Sequence, residues 1–284
     1  MQTWFITGAT GGLASEVIQE LLERGDRVAA TSRKLGALDS LKEKYGSQLW
    51  QTTLDLTNEA EVNAVVAQAF SELGTIDVLL NNAAYGLYGA IEEISEQQMK
   101  NVFEINLFGS LRTAKAFLPF FRKQGHGQII QISSMAGHYS TPAMGLYSAS
   151  KWAVEAAFEA LAEEVKPFNI QTTIVDPGGI RTNFVSGNGA FGEQLEVYQN
   201  TEVGQVISMM KGEVPGLDIA AFKKMIVGDP AKMAHQIIKL TEQKTNPLRI
   251  ALGSDSYQKI HESLAKRLSS LEAQKELAYS TDAD

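Results

Sequence analysis

Tyr147 and Lys151 stand four residues apart at the start of a helical pattern, YSASKWAVEAAFEAL. At that spacing two side chains leave the same face of a helix. A free phenol ionises near about pH 10 and is a poor acid or base at neutrality. A nearby ammonium, together with the positive charge of an oxidised nicotinamide, stabilises the phenolate and lowers that value. Tyr147 is then placed to protonate an alkoxide, or to take a hydroxyl proton in the reverse direction. In a chain with 8 tyrosines such a pair also arises by chance, so its surroundings decide. Ser134 lies thirteen positions earlier, just past an apolar strand pattern at 129–132. Its hydroxyl can donate to a substrate oxygen as charge develops there, or it can cap the loop, as the adjacent Ser133 can too. Asn106, set among Ile105, Leu107 and Phe108 in VFEINLFGS, needs a partner if buried. That partner is either a water linking Lys151 to solvent or the backbone of adjoining helices.

A second group of residues binds rather than reacts. The string TGATGGLA at 7–14 joins a short apolar run to an amphipathic one. Small residues there let backbone N–H groups of Gly8, Thr10, Gly12 and Leu13 approach a pyrophosphate at a helix N-terminus, where the helix dipole favours an anion. A tight turn with no ligand has the same composition. The next strand ends in ATSRK at 30–34 and carries no acid, whereas an NAD site places one there for the ribose hydroxyls. A carboxylate would repel a 2′-phosphate, while Arg33, next to Ser32, pairs with it through two N–H donors. The alternative is a solvated surface arginine. NADP(H) is thus favoured over NAD(H). Asp55 follows the third strand and serves either an adenine amino group or the cap of the next helix. Asn82, with Asn81, ends the fourth strand at the edge where ligands bind in such sheets; it either faces the ligand or ties neighbouring loops together.

The elements that must position these residues alternate. Strand patterns at 4–6, 27–31, 49–54, 76–80, 128–132 and 170–175 are separated by helical ones, including 34–45 and a helix from Asn58 to about 73 with Glu61 as its capping-box partner. Such alternation implies βαβ units with right-handed crossovers. The expected fold is α/β, a Rossmann-type doubly wound parallel sheet with helices on both faces, in a single domain. Residues 1–255 form the dinucleotide-binding and catalytic part, with a substrate lid at about 184–228 where Gly, Met and Phe break the alternation. Beyond it lie a helix near 230–240, a strand at 249–252 and a helix from about Ser254. Residues 256–284 are the C-terminal helix and tail of the same domain, and 280–284 read as a frayed polar end.

A net charge of −8 argues against nucleic acid or anionic membrane as a partner. The absence of cysteine removes disulfides and thiol chemistry and fits a reducing compartment. The first residues show no secretory leader, and no apolar run reaches the about 20 residues of a membrane span. A cytoplasmic protein is expected. His126, His235 and His261 carry no metal spacing and read as surface residues; no metal is expected.

Together these motifs resemble the short-chain dehydrogenases/reductases, in their compact single-domain branch, over residues 1–255. The family turn TGxxxGxG is matched by Thr7, Gly8 and Gly12, with Ala14 for the last glycine, and the family NNAG by Asn81, Asn82, Ala83 and Ala84. The resemblance implies that Asn106, Ser134, Tyr147 and Lys151 form the catalytic tetrad, with Tyr147 and Lys151 also touching cofactor. It implies that Pro177 and Gly178 form the PG motif, that Ile180 and Thr182 face the carboxamide, and that Asp55 contacts adenine. Ser32-Arg33 is similar to the NADP-preferring subgroup. TGATGGLA also satisfies TGxxGxxA, the turn of the branch containing sugar-nucleotide epimerases. The Asn-Asn-Ala string, the Ser–Tyr interval and the missing acid go against that branch.

The expected function is NADP(H)-dependent interconversion of an alcohol and its ketone or aldehyde. The alternative class is an NADP(H)-binding sensor or scaffold without turnover, which would bind the cofactor and not consume it. Met135, His138, Tyr139, Met144 and Phe184, with Phe191 behind them, are expected to line a pocket for an apolar small molecule. Apolar residues on more than one face of the helices at 107–121 and 147–165 resemble the family's two-fold packing and imply a homodimer or homotetramer.

Overall fold

Seven short apolar runs pair side by side, because strands buried on both faces satisfy their backbone polar groups only with one another. The structure, a computed structural model, describes residues 1–34, 36–182, 189–213 and 224–283. Within these, the strands are β1 (Thr3–Thr7), β2 (Arg27–Ser32), β3 (Leu49–Thr53), β4 (Val78–Asn81), β6 (Gly127–Ile132), β7 (Ile170–Pro177) and β9 (Arg249–Leu252). They form one parallel sheet in the order β3-β2-β1-β4-β6-β7-β9. The order reverses between β1 and β4, and the crevice outside the carboxyl ends at such a point is where ligands bind in open α/β sheets.

The pleat sends Trp4 and Ile6 to one face and Phe5 to the other. On the first face α1 (Gly12–Glu23) and a later helix, α8 (Pro230–Lys239), bury Leu13, Val17, Ile18, Leu21, Ile237 and Ile238. On the second face α3 (Glu59–Leu73), α5 (Ser110–Gln124) and α6 (Gly145–Val165) enclose an aromatic core. There Phe5 and Phe117 meet edge-on at 5.0 Å, and Phe70 stacks on Phe120 at 4.2 Å. This is the doubly wound arrangement expected.

Four details depart from the sequence reading. The helix expected over 34–45 is shortened to α2 (Asp39–Tyr45), because Gly36 takes φ +74° and turns the chain first. Asn58 does cap α3, accepting from Glu61 N at 3.2 Å, but the Glu61 carboxylate accepts from Asp55 N at 2.9 Å, so no reciprocal box closes. The helix running from α4 (Glu96–Phe103) into α5 widens to a π-helical stretch over Glu104–Gly109. Within the interval 184–228, β8 (Gly189–Phe191) pairs with β5 (Gly86–Tyr88) as a separate two-stranded sheet, followed by α7 (Glu202–Lys211). The C-terminal helix α9 (Ser254–Glu272) leads into the short α10 (Lys275–Tyr279), and residues 280–283 form an exposed turn after it. Among the described residues no helix is long and apolar enough to cross a membrane.

Candidate active site

β6 ends at Ile132, and Ser133 and Ser134 follow at the carboxyl edge. Ser134 caps the 3-10 turn Met135–Gly137, its Oγ accepting from Ala136 N at 3.1 Å. It is also hydrogen-bonded to Tyr147. Tyr147 lies in the first turn of α6, Lys151 one turn on, and both are buried. Lys151 Nζ donates to Ile132 O at 3.1 Å and stands 5.9 Å from the centre of the Tyr147 ring. The spacing of four thus places both groups against the end of one strand.

The electrostatics differ from the sequence expectation. Burial pushes the Tyr147 phenol up to about 12, with the Ser134 hydrogen bond pulling against it. In the protein alone, desolvation therefore outweighs the Ser134 hydrogen bond. Burial also brings Lys151 down to about 8, opposed by the negative charges of Glu155 and Asp176. At neutral pH the site holds a protonated phenol beside an ammonium that is close to losing its proton.

Asn106 is buried within the π-helical stretch, a departure from α geometry often found at functional sites. Its Oδ1 accepts from Tyr85 N at 2.7 Å, and its Nδ2 donates to Tyr85 O at 3.0 Å and Ser150 Oγ at 2.9 Å. Ser150 donates in turn to Tyr147 O at 2.7 Å. Asn106 thus ties the π-helical stretch to the backbone at Tyr85 and to Ser150 of α6.

At the glycine turn, α1 begins with Gly11 as a cap that offers no side-chain hydrogen bond, and its first turn holds no acid. The cap residue itself therefore supplies no acceptor to the leading N–H groups, which include those of Gly12 and Leu13. Gly8 takes φ +67°, and a Cβ there would lie 2.8 Å from Ala83 Cα, so both conformation and space demand glycine. Gly12 lies directly beneath Thr182, Leu13 is buried, and Thr10 is exposed at the turn. Asn82 Nδ2 donates to Thr7 O at 3.2 Å and Gly8 O at 3.1 Å. Of its two readings, loop tying is the one observed, since both N–H donors face this turn.

Ser32 spends its hydroxyl on Lys34 O at 2.8 Å, and Arg33 is exposed beyond it. Asp55 accepts from Thr57 N at 2.9 Å and Thr57 Oγ1 at 2.8 Å. Those bonds hold its carboxyl below the usual value, with a smaller contribution from Arg33. Asp55 therefore closes its own turn and does not cap α3. Pro177 ends β7, and Gly178 N donates to Leu252 O at 2.8 Å. A Cβ on Gly178 would lie 2.1 Å from Asp255 Oδ1. Ile180 bridges to Gly228, drawing the end of the insertion back to the sheet.

Met135 and Met144 are half-buried on either side of the loop before α6. His138 Nε2 sits 3.1 Å from Asp176 Oδ2, a half-buried contact that ties the ring to β7. Tyr139 is raised by burial and by Asp255 and Glu262 of the C-terminal helix, so its phenol faces α9. Phe184 lies outside the described residues. Phe191 packs against Tyr88 at 5.4 Å, and Tyr88 is raised by burial and by its proximity to Tyr147. Tyr88 was missed in the sequence; the aromatic and glycine string AAYGLYGA after Asn82 is the signal that marks it. The insertion is anchored by buried Glu93, whose carboxylate accepts from Ala90 N at 2.8 Å and Leu195 N at 2.9 Å. His126 and His235 pair with Asp77 and Glu20 at the surface, and His261 stacks on Tyr257.

Residues 2–191 match the short chain dehydrogenase family. A 3-ketodihydrosphingosine reductase of Bacteroides thetaiotaomicron is 36% identical over 254 residues, covering 89% of this chain and 88% of that protein. The crystal structure of a short-chain dehydrogenase from Streptomyces avermitilis superposes with a TM-score of 0.88 at 33% identity, over 99% of this chain and all of that one. An alcohol dehydrogenase from the archaeon Thermococcus sibiricus, complexed with 5-hydroxy-NADP, shares the fold at TM-score 0.70 and 23% identity, over 89% of this chain and 96% of that one. With the sheet, the glycine turn and the Ser-Tyr-Lys group in place, the chain belongs to the short-chain dehydrogenase family of oxidoreductases.

Proposed function

We propose that the protein reduces an apolar ketone or aldehyde, or oxidises the matching alcohol, with NADP(H) as cofactor. The observation that carries this reading is the Ser134–Tyr147–Lys151 group at the carboxyl edge, its Tyr147 and Lys151 buried, beside a helix whose N-cap is a glycine. The residues present fit the cofactor: the amides of Gly12 and Leu13 suit a pyrophosphate, and exposed Arg33 suits a 2′-phosphate where an acid would repel it. Lys151 would hold the ribose hydroxyls, and Ile180 and Thr182 would face the carboxamide. The bound cofactor supplies or accepts the hydride.

The remaining chemistry belongs to the chain. Ser134, with its oxygen already accepting from Ala136 N, directs its hydrogen toward the substrate oxygen or Tyr147. Tyr147, held protonated by burial, gives its proton to the oxygen as charge develops there. Lys151 offsets the phenolate left behind. Asn106 keeps α6 in register so that these distances hold. Tyr88, Phe191, Met135 and Met144 favour an apolar substrate, in keeping with a relative named for reducing a keto group on a sphingoid base.

Replacement of Tyr147 by Phe is expected to lower kcat by about 10²–10⁴, with NADPH affinity changed little, measured by cofactor fluorescence beside turnover on a ketone and aldehyde panel. An unchanged rate in Tyr147→Phe overturns the acid role. NADPH binding with no turnover of any carbonyl in the wild type would make the protein a sensor instead.

A further inference from the structure

Behind the tetrad lies a second cluster of titratable groups that the reaction above does not use. Glu155 stands one turn beyond Lys151 on α6, Asp176 precedes Pro177 at the end of β7, and His138 follows the 3-10 turn after Ser134. Their polar atoms all lie within 4.8 Å of one another, and Glu155 and Asp176 are 5% and 1% exposed. His138 Nε2 is 3.1 Å from Asp176 Oδ2 and 3.8 Å from Glu155 Oε2. Arg249 of β9 gives its Nε to Glu155 Oε2 at 2.8 Å and its Nη2 to Glu159 Oε2 at 2.5 Å. Helix α9 closes the far side, where Ser256 Oγ donates to Asp176 O at 2.7 Å and Ser263 Oγ to His138 O at 2.7 Å. The other charged or titratable groups of that helix near the cluster are Asp255, held by Gly179 N, and Glu262, beside Tyr139.

Two oxygens of this cluster, Glu155 Oε1 and Asp176 Oδ1, are buried, and apart from the Ser133 hydroxyl beside Glu155 they meet no donor among the described residues. Buried carboxylate oxygens are rarely left so. A proton shared between the two carboxyls satisfies both, since a protonated carboxyl donates where a carboxylate only accepts. Arg249 and Lys151 already answer the negative charge, which leaves a proton rather than a metal ion as the species the cluster exchanges.

We propose that Glu155 and Asp176, packed together beside His138, are positioning residues that keep the Lys151 ammonium charged, with Glu155 holding a proton in acid and releasing it as the solution becomes alkaline. The proposal rests on the reading of Tyr147 and Lys151 as the hydride-transfer site. Burial and the Asp176 charge raise the Glu155 carboxyl to about 7, just below the point near 8 at which Lys151 gives up its proton. Extra negative charge thus arrives beside Lys151 as the ammonium would otherwise be lost. Both carboxyl groups act on Lys151 in the sense that favours the charged amine. Loss of one carboxylate removes that support and moves the lysine toward its neutral form at lower pH.

The test follows Lys151 directly in the full chain. Protein with carbon-13-labelled lysine is titrated by NMR, the Lys151 Cε signal being assigned by its disappearance in Lys151→Met. In Glu155→Gln and Asp176→Asn the Lys151 midpoint is expected to fall by about one pH unit, and in Glu155→Asp to stay near the wild-type value. In parallel, the alkaline limb of NADPH-dependent carbonyl reduction is expected to shift the same way, with kcat at about pH 6 kept within about threefold. A midpoint that does not move in either neutral variant overturns the proposal, as does a loss of activity equal at every pH. If Glu155→Gln fails to fold for want of its Arg249 pair, Asp176→Asn carries the test. A lysine midpoint that moves in a protein reducing no carbonyl fails the functional reading alone, so the two failures are told apart.

Discussion

Two opposed influences meet at Tyr147: burial, which holds its proton on, and the Ser134 hydrogen bond, which eases it off. Lys151 is under the mirror-image pressure, since the same burial strips its charge while Glu155 and Asp176 restore it. The folded-state value of Lys151 lies below that of a free lysine. The unfolded chain therefore binds more protons between about pH 8 and 10.5, and the folded state gains stability as pH rises through that window. Lys151→Met removes this dependence. The stability of the variant minus that of the wild type is expected to fall as pH is raised from 8 to 10.5, read by urea denaturation at each pH. Arg33 decides a different matter. Arg33→Ala is expected to raise KM for NADPH by about tenfold and leave KM for NADH nearly unchanged, because the guanidinium has a partner only on the phosphorylated ribose. Equal effects on both cofactors would return Arg33 to the status of a solvated side chain.

At the scale of elements, what was legible in the sequence is what local periodicity encodes. The seven parallel strands, the glycine turn, the Asn58 cap and the start of α6 all follow from apolar period, small residues and capping types. Partners distant in sequence did not follow. Glu61 satisfies the Asn58-x-x-Glu61 pattern yet reaches back to Asp55 N, because the turn after β3 brings that amide within its range. His138 follows two serines and a methionine at the site and still belongs to β7, since its ring is drawn to a carboxylate thirty-eight residues away. Tyr88 is positioned by β8, a strand more than a hundred residues on that the weak periodicity of the insertion hid. Asn58→Ala tests the local part: it is expected to cost about 1 kcal/mol, as a helix cap does, measured as a shift in denaturation midpoint at constant slope.

At the scale of the whole molecule, the C-terminal helix is part of the catalytic body rather than an appendage to it. Asp255 binds Gly179 N at 2.8 Å, Ser256 holds Asp176 O, and Ser263 holds His138 O, so α9 braces the end of β7 from outside. A chain ending before Ser254 is expected to lose soluble yield and cofactor-dependent turnover together. A chain ending after Glu272 removes the exposed α10 and tail and is expected to keep both. Thermal midpoint and NADPH turnover on the two truncations check the division. An active chain lacking α9 would show that β7 holds its shape unaided.

Glu93 grips the insertion through the main-chain amide of Leu195 and not through its side chain, while its other oxygen takes the nearby amide of Ala90. Any residue except proline supplies such an amide. The anchor therefore asks almost nothing of the amino acids it fastens, and mutations around Leu195 leave the attachment point intact. Side chains along this stretch can therefore be exchanged while the point that fastens it to the frame stays the same, as a panel is changed without rebuilding what holds it.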